Sequence, residues 1–240
     1  MKKQRNFYEG KLHGFFLCLV LLSFIILLAP QKTEAANLQT KPKTKWEQLL
    51  DKYKDKKSTD RLIFVKYKGA SNATVVMYKK VKQENGSYKW KKILSCKAYV
   101  GKNGIDKVRE GDRKTPTGTF TITSGFGIKN NPGTKIPYTK LNQYLFWSGE
   151  KDTYNTMVDC RTLNRTWIAG EHLIDYNPHY NYALVIGYNR KCVYKKGSAI
   201  FLHVMGNNPY TEGCVAVSEQ SMIKIMKNTT KQTKICIYPY

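Results

Sequence analysis

Residues 197–218 read GSAIFLHVMGNNPYTEGCVAVS, and the fold and the chemistry both turn on them. Residues 199–204 are an apolar strand, residues 206–209 a Gly/Asn/Pro loop, and Gly213-Cys214 opens a second apolar run. In strand alternation His203 shares a face with Phe201, while Ile200, Leu202 and Val204 share the other. One imidazole is thus fixed on a rigid strand, and one thiol follows eleven residues later beyond a turn. A connection of this kind folds the cysteine back beside the histidine. Thiol catalysis needs that pairing: a nucleophile, a base for its proton, and backbone N–H groups for the oxyanion. Most lone strand histidines and lone cysteines are packing residues. Here Gly213 removes a side chain where the backbone must approach a substrate.

Working outward, the stretches 62–67, 74–81 and 88–94 read as strands, with Asn85-Gly86 as a hairpin turn between the last two. Residues 97–100 and 118–124 read as further strands joined by GKNGIDKVREGDRKTP, and Thr115-Pro116-Thr117-Gly118 sets a tight turn. The stretch 126–171 is irregular, but its aromatics, Trp147 and Trp167 among them, argue against disorder. Arg161 and Arg165 within it are candidates for a substrate carboxylate, Arg being suited to bidentate contact; the alternative is two surface arginines in a basic protein. YALVIGY at 182–188 is a strand expected beside 200–204. Beyond Cys214, Ser218 is an N-cap for a helix of about ten residues built on Met222, Ile223, Ile225 and Met226. A final strand spans 234–238. His172 and His179, even with Asp159 and Asp175, have no zinc-like spacing, so neither a metal nor any other cofactor is expected.

A length of 240 residues suits one domain with a short extension, and 41% hydrophobic residues suffice for a core. Residues 1–36 have the basic start, long apolar run and small residues (Ala35, Ala36) of a secretion signal or N-terminal membrane anchor. Export to an extracytoplasmic location follows from either. Residues 37–60 form a Lys-rich linker in which Trp46, Leu49, Leu50 and Tyr53 predict one or two helical turns. The net charge is +24, or +21 without the five basic and two acidic residues of 1–36. Such a charge suits retention on an anionic wall polymer or membrane surface, or simply a solvated face; export argues against nucleic acid. Five cysteines follow residue 36. Holding out Cys214 leaves Cys96, Cys160, Cys192 and Cys236 for two disulfides in any of three pairings, or all five are reduced.

Thr211-Glu212-Gly213-Cys214-Val215 downstream of a His203 strand resembles the active-site signature of the YkuD-type L,D-transpeptidases. Residues 109–120, REGDRKTPTGTF, are similar to that family's G-x-x-x-T-P-x-G-x-F turn. The resemblance covers roughly 61–240 and is closest to the branch without arginine two residues after the cysteine. It implies a mainly β, sandwich-like catalytic domain over 61–240 with one or two short helices. Cys214 is then the nucleophile, His203 the general base and acid oriented by a backbone carbonyl near the Gly-Cys turn, and Gly213 and Cys214 the oxyanion N–H donors. Thr211 stands near the thiol, the 126–171 insertion walls the substrate cleft, and His172 lines it. The implied substrate is the peptidoglycan stem peptide: the thiolate releases D-alanine from a tetrapeptide, and a neighbouring stem amine resolves the thioester into a 3→3 cross-link. Resolution by water instead makes an L,D-carboxypeptidase. Two positions depart from the family: Glu212, whose charge opposes a thiolate if turned inward, and Ala216, where many members carry arginine. Arg161 is the candidate to take over that position's contact. A non-catalytic basic wall-binding module is the rival reading. A papain-like protease is not, because it requires the Cys and His in the opposite order.

Overall fold

Strand-forming β-branched residues in 61–82 become a hairpin, β1 (Arg61–Gly69) and β2 (Asn72–Lys82), in the computed structural model, which describes residues 41–240. β3 (Tyr88–Tyr99) follows antiparallel across Asn85-Gly86, where Gly86 takes φ +81°, a region open to glycine at little cost. The separate strand expected over 97–100 is the end of β3. A register shift opposite Met77 and Tyr78 absorbs the irregularity, and pairing with β2 runs on to Tyr99.

The remaining strands are β4 (Gly118–Gly127), β5 (Tyr138–Lys140), β6 (Leu145–Ser148), β7 (Met157–Asp159), β8 (Gly170–His172), β9 (Ala183–Ile186), β10 (Phe201–Val204), β11 (Val215–Val217) and β12 (Thr233–Pro239). The main sheet runs β12-β1-β2-β3-β11-β10-β9-β4-β5, and β4 also pairs with β12, so eight of the strands close on themselves. Closure removes the exposed edges an open sheet would leave. The fold is mainly β with two helices, as expected, and the sheet is barrel-like. β6, β7 and β8, all drawn from the stretch unreadable in sequence, make a separate three-stranded sheet.

Alternation sorts the side chains into layers. Ile63 and Val65, Val75 and Met77, Leu202 and Val204, and Ile235 and Ile237 fill the interior, with Met222, Ile225 and Met226 of α2 (Glu219–Asn228) packed among them. Ser218 caps that helix, accepting from Ser221 N–H at 3.3 Å. On the outer face of β1, β2 and β12, Leu62, Phe64, Val76 and Cys236 receive Trp46 and Leu49 of α1 (Lys45–Lys54). A reciprocal Thr44–Glu47 capping box starts α1, so the expected linker helix docks on the sheet. On the outer face of β9 and β10, Ala183, Val185 and Phe201 pack with Phe126, Trp147 and Tyr180 in a second layer. That layer holds the site.

All five cysteines beyond residue 40 are free thiols. Among the described residues no helix is long and apolar enough to cross a membrane. The expected secretion signal or anchor, 1–36, lies outside the described residues.

Candidate active site

His203 leaves the barrel because its strand neighbours Leu202 and Val204 are the ones that face in. It is 6% exposed, with the Tyr180 ring edge-on at 5.7 Å and the His179 ring at 5.5 Å. Its Nδ1 donates to Val204 O at 2.8 Å. A carbonyl only accepts, so Nδ1 carries the proton and Nε2 keeps its lone pair. The orienting carbonyl belongs to the histidine's own strand rather than to the Gly-Cys turn. Burial drives the imidazole pKa down to about 4, against the upward pull of that hydrogen bond, so it is a neutral base near neutral pH.

Cys214 arrives one step before β11, which runs parallel to β10 with His203 opposite Ala216. The thiol donates to Ala199 O at 3.1 Å and its sulfur accepts from Phe201 N–H at 3.3 Å. It is thereby pinned to the backbone just ahead of His203. Gly213 holds φ +147°, which a side chain would strain. Thr211 Oγ1 donates to Cys214 O at 2.7 Å and accepts from Gly213 N–H at 3.2 Å, while Thr115 Oγ1 donates to the same carbonyl at 3.0 Å. Thr211 therefore builds the Gly213-Cys214 turn, and the Gly213 N–H points into it. Among the described residues the Cys214 N–H has no acceptor.

Burial raises the thiol pKa far above its usual value, and the Glu171 carboxyl adds to the effect; the Phe201 N–H and Lys107 oppose it. The resting pair is a neutral thiol and a neutral imidazole. Both face one cavity of about 530 Å³, which Trp147, Tyr154 and Glu171 from the 126–171 stretch also line. A model of the YkuD family, the L,D-transpeptidase catalytic domain, matches residues 60–237.

The chain belongs to the YkuD family.

No curated protein matches it. Within this YkuD domain, Cys214, His203 and Thr211 meet at one cavity, but Arg161 and His172 do not join them. Arg161 is exposed, pairs with Asp159 at 2.6 Å and lies 4.1 Å over the Tyr144 ring. His172 has both ring nitrogens engaged, to Asp175 and to Gln143 O at 2.8 Å each, and stacks on Phe146. Alternation along β8 sends its neighbour Glu171 to the cavity instead. Glu212 borders the same cavity, but it is 65% exposed and its carboxylate is neutralised in a two-pronged pair with Arg113. Ala216 lies on the cavity wall, where an arginine would project into the space.

The cavity also holds three groups the sequence did not single out, Lys107, Glu110 and Glu171, together with His179, which the sequence offered only as a metal candidate. Lys107 is buried and paired with Asp112 at 2.8 Å. The Glu171 carboxyl accepts from Tyr180 Oη at 2.6 Å, and burial lifts its pKa to about 7. Glu110 accepts from Tyr154 Oη and from Ser198 Oγ, the latter at 2.9 Å. Only alternation pointed toward Glu171, and that requires knowing that 170–172 is a strand. Among the described residues no group of three or more potential ligands is placed to hold a metal.

Proposed function

We propose that this YkuD domain is a peptidoglycan L,D-transpeptidase with Cys214 as nucleophile and His203 as general base and acid. The reading rests on one observation: within the family-matched segment, a thiol and a neutral imidazole oriented by Val204 O face the same cavity. When a tetrapeptide stem enters, its third-residue carbonyl takes its place against Cys214. The thiol proton passes to His203 Nε2 and the C–S bond forms. The imidazolium then protonates the departing D-alanine amine, leaving a thioester.

Transfer to an amine rather than to water is favoured by the cavity's charges. Glu110 and Glu171 line it with hydroxyl partners only, and among the described residues neither has a basic partner. In a chain of net charge +24, acidic side chains without a basic partner beside a nucleophile suit an incoming amine, whose proton His203 Nε2 takes as its nitrogen bonds the thioester carbon and the C–S bond breaks. The acceptor is then a side-chain amine of a neighbouring stem, and the product a 3→3 cross-link. The basic surface favours retention on anionic wall polymer, and residues 1–36 carry the enzyme to its extracytoplasmic substrate.

The test is the intact mass of residues 37–240 after incubation with a carbapenem, beside Cys214→Ala. The expected result is a single adduct that requires Cys214, followed by cross-linked muropeptides from stem-peptide substrate. Shortened monomers without cross-links would make the enzyme an L,D-carboxypeptidase. A folded protein with a free Cys214 thiol and no adduct would leave the wall-binding reading.

A further inference from the structure

Thiol acyl transfer places negative charge on the former carbonyl oxygen, and such sites ordinarily meet it with more than one preorganised donor. Here the Gly213 N–H is committed to Thr211 Oγ1, so of the two N–H groups of the Gly213-Cys214 turn only that of Cys214 is without an acceptor among the described residues. We propose that the Lys107 ammonium is the second oxyanion donor. This inference rests on Cys214 being an acylated nucleophile, as proposed above.

The path of Lys107 is cleared by two glycines. A Cβ on Gly197 would lie 2.5 Å from Lys107 Cε, and a Cβ on Gly213 would lie 3.7 Å from Nζ. The side chain therefore threads past Gly197 and ends beside the Gly213-Cys214 peptide, on the cavity wall. It is 2% exposed. Asp112 Oδ1 accepts a hydrogen bond from the ammonium at 2.8 Å, and its carboxylate is itself fixed by the N–H groups of Val108 and Lys114 at 2.8 and 3.1 Å. An ammonium has three donors, so two remain. The other cavity lysine, Lys195, is exposed and lies over the Tyr194 ring.

The loop is also fastened to the nucleophile turn. Lys102 N–H donates to Thr211 O at 2.8 Å, Thr115 Oγ1 to Cys214 O at 3.0 Å, and Arg113 grips Glu212. A buried ion pair is a poor device for stability alone, since apolar replacements often serve as well. As an electrostatic donor it has a defined step. When sulfur adds to the acyl carbon, the carbonyl π pair moves to oxygen and is met by Lys107 Nζ and Cys214 N–H. When that pair returns, the carbon–leaving-group bond breaks, and His203 gives its proton to the leaving amine.

Two reagents separate this role from others. p-Nitrophenyl acetate acylates a thiol through an oxyanion and needs no cell-wall specificity; iodoacetamide alkylates it by displacement at a saturated carbon, with no oxyanion. The double variant Lys107→Met/Asp112→Asn avoids an orphaned charge, and Lys107→Arg keeps a cation; both are first checked for a wild-type circular dichroism spectrum. The expected result is a loss of about 10²–10³-fold in acetylation of Cys214 by the ester in the double variant, partly recovered in Lys107→Arg. Alkylation should fall by less than about tenfold, reflecting the modest pull of Lys107 on the thiol. Equal losses in both reactions, or an unchanged ester rate, would overturn the proposal. Wild-type carbapenem acylation is scored separately, so a failure of the peptidoglycan reading is distinguishable from a failure of this one.

Discussion

Arg113 closes on Glu212 with Nη2 2.5 Å from Oε1 and Nε on the other carboxylate oxygen, joining the 101–117 loop to the residue two before Cys214. The geometry is the bidentate fork that a carboxylate and a guanidinium form best. Because the pair is exposed, it contributes to placement more than to stability. Arg113→Ala should slow acylation of Cys214 by up to about 10²-fold, since small misplacements of reacting groups are costly. Its melting temperature should stay close to wild type. A variant that acylates at the wild-type rate would remove the loop from the catalytic machinery.

His203 gives a pH signature with a defined sign. Its folded pKa, about 4, lies below the ordinary histidine value, so the unfolded chain binds the proton first. The contribution to stability is fully present above about pH 6.5 and is lost as pH falls toward 4, amounting to at most about 3 kcal/mol. Urea unfolding from pH 7 to pH 4.5 should show this loss in wild type and a flatter dependence in His203→Gln. Acylation should likewise persist to about pH 5, below the limb of an ordinary histidine.

Glu171 has the opposite sense. Burial holds its pKa at about 7, so the folded protein keeps a proton that the unfolded chain has already released. Stability is present at low pH and is lost as pH rises from the ordinary carboxylate range through about 7. Glu171→Gln should therefore be more stable than wild type at pH 8 and equal to it near pH 4, by urea unfolding. With a stem-peptide donor and an amine acceptor, the same variant should release relatively more hydrolysed product. An unchanged ratio of transfer to hydrolysis would mean that the acceptor does not meet this carboxylate.

Trp46 tests the docking of α1. It is 6% exposed, lies 5.0 Å from the Phe64 ring, and among the described residues its Nε1 has no acceptor. Trp46→Ala should cost about 3–5 kcal/mol by denaturant unfolding. Trp46→Phe removes the unpaired N–H while keeping an aromatic ring, and should cost much less. A negligible loss in Trp46→Ala would mean that the helix contributes little to the domain.

The strands outside 126–171, the hairpin at Asn85-Gly86, both helices and the face shared by Phe201 and His203 are legible in the sequence because each depends on local periodicity and turn chemistry. The Gly213-Cys214 turn is legible for the same reason. A second sheet in 126–171 was not, since its three strands are short and interrupted by turns and 3-10 segments, with no period to detect.

The sequence by itself determined the residue types of a thiol–imidazole site and the order in which they occur. Only the tertiary structure decided who stands around them. It set Arg161 on the surface against Asp159, turned His172 to Phe146, and brought in Lys107, Glu110 and Glu171 from segments 43 to 107 residues away from Cys214. The physical reason is range. Backbone preference and strand alternation act over a few residues, whereas charge, burial and cavity shape depend on closure of a sheet whose neighbours are far apart in the chain.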